Sequence, residues 1–419
     1  MDFVERLPET GIIRNMKDTD FYQHILGIAS PWKVSEVCLE MDRQRVTVRV
    51  ELQAGTKWGD PESGAAAHLH KWTERRWRHL DTCQFETIIE ASVPSVRYAD
   101  GRVEEVAVPW AERYQRVTKL LAGLVILLLE ACGNVDKVAK ALRLDWSTVN
   151  SIMKGAVKRG LERREAEPVR HLGIDEKSFR RGHTYASVLN DLDNNRVWDL
   201  VEDRKTQSAM ALLDTLSGTQ RDAVEAVAMD MWPAFEAAVR EKLPQADIVY
   251  DKFHISGYLN KAVDDVRKRE HQQLMAKGKD TLKGTKYQWL RNFPDLRSEP
   301  GFRELYSATL KTSRAWRLKE SFAGFWDYRY RGAAERFFTE WHKQVKRSRL
   351  EPMKKVAEML ANRKEGVLNY LKHRITNAAS EGMNSLVARV VANARGLRSF
   401  ATFRIRVLFF LGKLDLSIA

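Results

Sequence analysis

Three acidic residues in this chain have the sequence surroundings of metal ligands. Asp175 and Asp230 each follow a short apolar segment that predicts a β-strand, and Glu381 opens a segment with helical periodicity. Hydrolysis and transesterification of phosphodiesters can use two divalent ions about 3.5–4 Å apart, held by converging carboxylates. Mg²⁺ takes oxygen ligands and keeps several waters, so three acids suffice. We therefore predict that these three residues are catalytic and bind Mg²⁺ or Mn²⁺.

Each of the three acids also has an ordinary structural interpretation. Asp175 could be a turn residue at a strand end, and Asp230 could cap a helix that begins near Trp232. Glu381 could be a surface residue of its helix. The order of the elements is more specific than any single acid: a strand with Asp, a second strand with Asp, many helices, and then a helix with Glu.

The segments around the two aspartates predict a mixed sheet. Residues 171–175, 184–189 and 196–201 favour three strands in a meander, and residues 223–229 and 247–251 favour two more strands, separated by helices. This is the order of an RNase H-like domain, in which the strands that carry the two aspartates are neighbours. Residues 258–370 favour helices only and are rich in Lys and Arg, which predicts a helical insertion.

The fold class that follows is multidomain α+β. It has a small β-rich N-terminal module and a helix-turn-helix, and then an RNase H-like α/β catalytic domain interrupted by an all-α insertion. The predicted domains are the N-terminal DNA-binding module at 1–108, the helix-turn-helix at 109–167, the first part of the catalytic domain at 168–257, the basic helical insertion at 258–372, and the second part of the catalytic domain at 373–419.

The charge of the chain favours a nucleic acid as partner. Its 419 residues include 70 Lys and Arg against 56 Asp and Glu, a net charge of +14. Three cysteines without a C-x-x-C pair favour a reduced compartment and no disulfide framework. The N-terminus lacks the order of a secretion signal, and the longest apolar run is too short to cross a bilayer. We expect a cytoplasmic, nucleoid-associated bacterial protein that does not bind membranes.

Two segments are candidate DNA-binding elements. Residues 71–80 combine arginines with aromatic residues and could contact phosphates, although a solvated surface is the alternative. Residues 134–142 and 146–154 predict a helix-turn-helix, for which an ordinary helical hairpin is the alternative. The residues predicted to face DNA in these segments are Arg75, Arg76, Arg78, Ser147, Asn150, Ser151, Lys154 and Lys158.

Further candidates for DNA contact lie near the acids. Trp232 could stack on a base that leaves the duplex, or it could belong to the core. His254 could steer a water or a phosphate, or it could form a packed or capping pair with Asp251. Arg395 and Arg398, in the basic C-terminal segment, are predicted to bind DNA as well.

Several motifs together resemble one known family. The motifs are HLGIDEKSF at 171–179, AMDMW at 228–232, YDKFH at 250–254, NAASEGMNSL at 377–386 and ARGLRSF at 394–400. They are similar to the ISL-three family of bacterial insertion-sequence transposases, and the resemblance extends from about residue 71 to 414. It implies an RNase H-like fold whose DDE triad is Asp175, Asp230 and Glu381. It also implies binding to terminal inverted repeats, excision and strand transfer.

The chain departs from that family near its N-terminus. Members open with a zinc module that uses C-P-x-C-G and a later cysteine pair, whereas the matching segments here read DPESG at 60–64 and RYADG at 97–101. His68, His70, His79 and Cys83 remain, but their spacing is not a usual zinc pattern. We expect a module that kept its fold without zinc, stabilised by packing around Trp72 and Trp77.

The prediction from sequence is a DDE transposase that acts as a homodimer on double-stranded DNA, both transposon ends and target. Two alternatives remain open. One is a transposase-derived regulator that binds DNA without cutting it, and the other is an RNase H-like nuclease that does not join DNA ends.

Overall fold

The computed structural model describes residues 16–60, 64–164, 167–180, 184–296, 301–307, 310–376, 378–394, 396–397 and 399–418, and only the backbone of residues 180, 184, 294, 295 and 378–381. The chain forms two compact units. The first comprises residues 1–156 together with 416–419, and the second comprises residues 157–415. No helix among the described residues is long and apolar enough to cross a membrane.

The first unit is β-rich and then helical. Its elements are α1 Asp18–Ile25, β1 Trp32–Glu40, β2 Arg45–Leu52, β3 Trp58–Gly59, β4 Ala66–Arg78, β5 Glu86–Arg97, β6 Val103–Glu105, α2 Lys119–Cys132, α3 Val135–Ala141 and the first part of α4 Trp146–Glu162. The strands form one sheet in the order β1-β2-β5-β4-β3, and β6 also pairs with β5. Alternating valines place Val46, Val48 and Val50 in its core, as the period-2 pattern of β2 predicts.

Local capping residues set the helices of this unit. The Thr118 side chain accepts a hydrogen bond from the Leu121 backbone N–H and begins α2, and Gly133 ends α2 in the left-handed region with φ 65°. The side chain of Asn134 accepts one from the Lys137 backbone N–H at 3.0 Å and begins α3. A short turn then leads to α4, and the predicted helix-turn-helix of α3 and α4 is confirmed.

The second unit contains a five-stranded sheet and most of the helices. Its strands are β7 His171–Arg180, β8 Thr184–Asp191, β9 Arg196–Glu202, β10 Ala226–Met229 and β11 Asp247–Tyr250. Its first helices are α5 Thr206–Leu213, α6 Gly218–Asp222, α7 Pro233–Lys242 and α8 Lys252–Met275. The later ones are α9 Lys286–Leu290, α10 Phe293–Leu296, α11 Phe302–Ser307, α12 Lys311–Ala323, a 3₁₀ turn at Gly324–Asp327, α13 Arg331–Arg347, α14 Glu351–Ala361, α15 Lys364–His373, α16 Ala378–Asn393 and α17 Phe400–Leu411.

The order of this sheet is β11-β10-β7-β8-β9. β7, β8 and β9 form an antiparallel meander, whereas β10 runs parallel to both β7 and β11. β10 is buried at every position, as expected for a central parallel strand with both faces covered. The strands predicted from sequence are confirmed, with ends that differ by a few residues.

The helices from α8 to α15 share one hydrophobic core with the sheet. This core contains Ile174 and Val227 from the strands together with Trp316 and Trp341 from the helices. The boundaries predicted at 258 and 372 both fall inside continuous helices, α8 and α15. The division of this unit into a catalytic domain and a helical insertion therefore stays a prediction.

Candidate active site and nucleic-acid interface

Three acids follow directly after the last parallel pairs of the sheet. The last parallel pair between β7 and β10 joins Ile174 and Met229, and the residues that follow are Asp175 and Asp230. β11 also ends level with Met229 and is followed by Asp251. The sheet register therefore brings together acids that are 55 and 21 positions apart in sequence.

The sequence predicts a strand that ends at Asp175, and this prediction is wrong. β7 continues to Arg180 because its other neighbour, β8, still pairs with it beyond Asp175. Only the parallel pairing with β10 stops at this point. Asp175 thus sits on a strand that is held on one side and open on the other, where its carboxylate faces the end of β10.

The Asp175 carboxyl group is buried, with 7% of the residue exposed. Burial and the nearby negative charge of Asp230 raise the pKa of Asp175 to about 6. The Glu176 backbone N–H donates to Asp175 Oδ1 at 2.7 Å. A buried carboxylate whose charged form is disfavoured, with a second carboxylate beside it, forms a place where a bound cation would be favourable.

His254 and Asp251 belong to the same cluster of side chains as Asp175 and Asp230. His254 Nε2 lies 3.0 Å from Asp230 Oδ1, and this hydrogen bond raises the pKa of His254 to about 9. One ligand atom each from Asp230, Asp251 and His254 lies within 4.8 Å of the other two. Asp251 also caps α8 by accepting a hydrogen bond from the Phe253 backbone N–H at 3.0 Å.

Helix α16 reaches the same place from the C-terminal part of the chain. It packs against β7, and Asn384 Nδ2 donates a hydrogen bond to Asp175 Oδ2. Glu381 lies in α16 three positions before Asn384, a spacing that puts both on one helix face. The side chain of Glu381 is outside the described residues. The backbone of its helix nevertheless lies against the strand that carries Asp175.

The donor atoms at this place fit a hard divalent cation. They are carboxylate oxygens, and the buried carbonyl oxygen of Asn384 has no hydrogen-bond partner among the described atoms. Oxygen donors that cluster at a sheet edge are the ligands that Mg²⁺ and Mn²⁺ take. Asp175 and Asp230 are thus near the same point, and the helix that contains Glu381 reaches it through Asn384.

Trp232 lies two residues after Asp230 and is 40% exposed, so the alternative that placed it in the core is wrong. Its indole N–H donates to the Arg204 carbonyl oxygen at 3.4 Å. The guanidinium of Arg204 lies 4.9 Å from the centre of the Trp232 ring and 4.6 Å from that of Tyr185. The sequence offered no signal for Arg204, since only the fold brings it to these rings.

The exposed side of α4 carries polar residues at helical spacing. Ser147, Ser151, Lys154 and Lys158 are all exposed, and their spacing of four, three and four residues places them on one face. Asn150 is not on this face: it is 7% exposed and lies beside the buried Val149. The prediction that Asn150 faces DNA is therefore wrong, because helix α4 packs that side against its neighbours.

The basic segment 71–80 forms most of strand β4. Arg75 and Arg76 are exposed and pair with Glu105 at 2.7 Å and Glu90 at 2.8 Å. Arg78 is buried and pairs with Asp81 and Glu86, so the prediction that it contacts phosphates is wrong. Arg395 and Arg398, the other predicted contacts, lie outside the described residues.

Comparison with known families identifies the second unit. The family model of the ISL3 DDE domain, described as "Transposase", matches residues 172–407, which include all three predicted catalytic acids. The chain belongs to this transposase family. A second model, the helix-turn-helix domain of transposase family ISL3, matches residues 106–157 and so covers α2, α3 and most of α4. The predicted family membership is confirmed, and the transposase has both a helix-turn-helix DNA-binding domain and a DDE domain.

Two curated transposases are similar to this one over most of their length. The transposase for insertion sequence element IS1001 of Bordetella parapertussis is 28% identical over 349 residues, which are 81% of this chain and 85% of that protein. The transposase for insertion sequence element IS1557 of Mycobacterium tuberculosis is 24% identical over 421 aligned positions, 92% of this chain and 93% of that protein. The similarity thus extends across both units.

A third family model, the zinc-finger of transposase IS204/IS1001/IS1096/IS1165, matches residues 60–98 of the transposase. Among the residues that the structure describes there, no set of zinc ligands converges. His68, His70 and Cys83 are exposed, and with His79 they form no group of converging ligand atoms among the described residues. His79 instead lies buried, 2.9 Å from the Thr118 hydroxyl.

An arginine joins the two segments where the family has its zinc ligands. The guanidinium of Arg102 lies 3.4 Å from Asp60 Oδ2, pairs with the Asp100 carboxylate, and stacks 5.1 Å from the centre of the Tyr98 ring. Trp77 is buried against Trp110, which confirms the predicted packing around Trp77, whereas its compensation for a lost zinc stays a prediction. Trp72 is 51% exposed, so the prediction that the core packs around it is wrong.

Proposed function

We propose that the transposase cuts DNA at the ends of its insertion sequence and joins those ends to target DNA. The observation that carries the proposal is the alignment of Asp175 and Asp230 where the parallel pairing of β7 and β10 ends, on a strand that packs against the helix containing Glu381. The binding site for the ends would be their terminal inverted repeats. The names of the two relatives, both transposases for insertion sequence elements, support this assignment.

We further infer that the sheet of the second unit belongs to an RNase H-like catalytic domain. A three-stranded antiparallel meander followed by two parallel strands supports this fold. The division of the chain into a degenerate zinc-ribbon module, a helix-turn-helix, a divided catalytic domain and a helical insertion follows from the same inference. The helical part would then grip DNA through its basic surface.

Asp175, Asp230 and Glu381 would hold two Mg²⁺ or Mn²⁺ ions. Such ions activate the attacking oxygen, stabilise the leaving 3′-oxygen and neutralise the phosphate. Asn384 would keep the Asp175 carboxylate in place through its hydrogen bond. His254 would hold Asp230 from the other side and could contact a phosphate.

Two phosphoryl transfers would follow in order at these residues. In the first, a water oxygen bonds to phosphorus at the element's end and the bond to the 3′-oxygen breaks, which leaves a free 3′-hydroxyl. In the second, that 3′-oxygen bonds to a target phosphorus and displaces the 3′-oxygen of the target strand. No protein nucleophile is required, so we expect no covalent link between the transposase and DNA.

The DNA path would include the exposed face of α4, with Ser147, Ser151, Lys154 and Lys158. Arg75 and Arg76 would contact phosphates when they exchange their acidic partners for DNA. Arg395 and Arg398, in the basic C-terminal segment of the sequence, would add positive charge. Trp232 would stack on a base near the cut, since its ring is exposed beside Asp230.

A homodimer would present two active sites to the two ends of the insertion sequence.

Cleavage and joining of a defined end test this function. Purified transposase is incubated with Mg²⁺ or Mn²⁺, a duplex that carries the element's own end, and a second duplex as target. We expect nicking at the end and joined products from the wild type, and a loss of at least about 100-fold in both for Asp230→Asn. Asp222→Asn, an exposed acid in the same unit, serves as the matched control and should retain activity.

Other results of this experiment would favour one of the two alternative functions. Specific binding of the end without any metal-dependent product would contradict the proposal and favour the regulator. Metal-dependent nicking that Asp230→Asn abolishes, without joined products, would favour a nuclease.

A further inference from the structure

A second group of metal-binding residue types lies at the other end of the parallel strands. His171 is the first residue of β7, Glu225 directly precedes β10, and His373 is the last residue of α15. His171 pairs in register with Ala226, which places Glu225 at the same edge. One ligand atom from each of the three residues lies within 4.8 Å of the other two.

A carboxylate orients each of the two imidazoles. His171 Nδ1 lies 2.8 Å from Asp193 Oδ1, and His373 Nε2 lies 2.8 Å from Asp247 Oδ2. The ring centres are 5.8 Å apart. Histidines that bind metals usually engage their other ring nitrogen with a carboxylate or carbonyl, which sets the tautomer and the ring orientation. Here that arrangement occurs twice and leaves Nε2 of His171 and Nδ1 of His373 as the second nitrogens.

We propose that His171, Glu225 and His373 form a separate site for a transition-metal ion of the Zn²⁺ type. Two imidazole nitrogens and one carboxylate are ligands that Zn²⁺ takes, with a water at the fourth position. Four residues of extended chain separate His171 from Asp175, about 13 Å. The site is therefore distinct from the carboxylates that would hold Mg²⁺, and its donor atoms select a different class of ion.

The charges around the site decide how an ion would enter. Arg170 Nε lies 3.8 Å from Glu225 Oε1, and this long, exposed ion pair is weak enough to be displaced. Lys372 pairs with Asp247 at 2.7 Å and so partly balances the carboxylate behind His373. The ion would replace Arg170 at Glu225 and leave the outer pairs in place.

A metal at this site would tie the end of α15 to the beginnings of two strands. The chain leads from His373 into α16, the helix that contains Asn384 and Glu381. The bound ion would thus fix the segment that brings α16 to the sheet. It would stabilise the second unit because the metal binds the folded form only.

Metal titration of the full-length protein tests the site. Protein stripped of metal is titrated with Zn²⁺ in the presence of excess Mg²⁺, which would occupy the carboxylate centre. A second titration uses Co²⁺, because bound Co²⁺ absorbs visible light. We expect one equivalent of Zn²⁺ to bind and to raise the melting temperature. His171→Gln and Glu225→Gln should each weaken binding at least about 10-fold, and Asp193→Asn should weaken it about 10- to 100-fold.

The variants avoid the nearly buried His373, whose loss could impair folding. Glu241→Gln controls for removal of an exposed acid, and the double variant His68→Gln, His70→Gln reports on the N-terminal module. Stoichiometric binding that Glu225→Gln and His171→Gln leave unchanged would overturn the proposal, as would the absence of saturable binding. Zinc lost only in the His68, His70 variant would place the ion in the N-terminal module instead.

Discussion

Asp175 illustrates how single residues are prepared for their role. Its carboxylate accepts hydrogen bonds from the Glu176 backbone N–H and from the Asn384 side chain, in a buried position beside Asp230. Each N–H favours the ionised form of Asp175, whereas burial and the neighbouring charge disfavour it. The unfavourable effects are larger, so the pKa of Asp175 rises to about 6. A divalent ion would reverse this balance.

Asn384→Ala tests the positioning of Asp175. Removal of the amide leaves the carboxylate free to rotate, so we expect kcat for cleavage to fall about 10- to 100-fold, with little change in KM for DNA. The Mg²⁺ concentration for half-maximal activity should rise as well, which a merely structural loss would not produce. Asn362→Ala, at the exposed end of α14, is the matched control. Equal loss in both variants, or a loss confined to DNA affinity, would contradict the role.

At the scale of elements, the join between β4 and α2 has a titratable side chain in its interior. His79 follows β4 directly and contacts the Thr118 hydroxyl, which caps α2. Burial, with a smaller contribution from the charge of Arg78, lowers the pKa of His79 to about 4. The neutral imidazole is thus part of the folded first unit.

This depressed pKa predicts an acid-sensitive unit. As the pH falls below the ordinary His pKa of about 6.5, the imidazole of His79 becomes protonated in the unfolded chain. In the folded chain it binds a proton only near pH 4. Stability that is complete above pH 6.5 is therefore lost as the pH falls through this window, by up to about 3 kcal/mol. Hydrogen exchange of peptides from β5 and α2, measured at pH 7 and 4.5, should show faster opening in acid.

The matched variants separate His79 from general acid effects. His79→Gln should weaken the pH dependence of exchange in these peptides, whereas His70→Gln, at an exposed position of β4, should keep it. Identical pH dependence in all three proteins would show that His79 does not govern the effect.

At the scale of the whole molecule, the excess of basic residues matters more than any one contact. With a net charge of +14, we expect phosphate binding, with release of counterions, to be the main source of DNA affinity. We expect specificity to come from fewer residues, among them those on the exposed face of α4.

The salt dependence of DNA binding tests whether the lysines of α4 bind phosphates. For Lys154→Gln combined with Lys158→Gln, we expect weaker binding to every duplex, and a slope of log K against log salt that is less steep by about 2. Fluorescence anisotropy across a range of salt concentrations measures both. Lys140→Gln, which removes an exposed lysine paired with Asp136 in α3, should leave the slope within about 0.5 of the wild type. An unchanged slope in the double variant would remove α4 from the DNA path.

The sequence alone determined the local elements and the acids that follow their apolar runs. Apolar runs that finish in Asp175 and Asp230 predict strands, because alternation and length are local properties of the chain. The helix-turn-helix followed from caps such as Asn134 in the same way. The family motifs added the assignment of Glu381, whose side chain lies outside the described residues.

Only the tertiary structure decided which side chains meet and which are covered. Register between β7, β10 and β11 aligned Asp251 with the other two acids and His171 with Glu225, and register depends on pairing between distant segments. Arg78 and Asn150 look like surface residues in sequence, yet both are buried. A polar side chain becomes buried when its neighbours on other elements cover it, and that packing is a property of the fold and not of the local sequence.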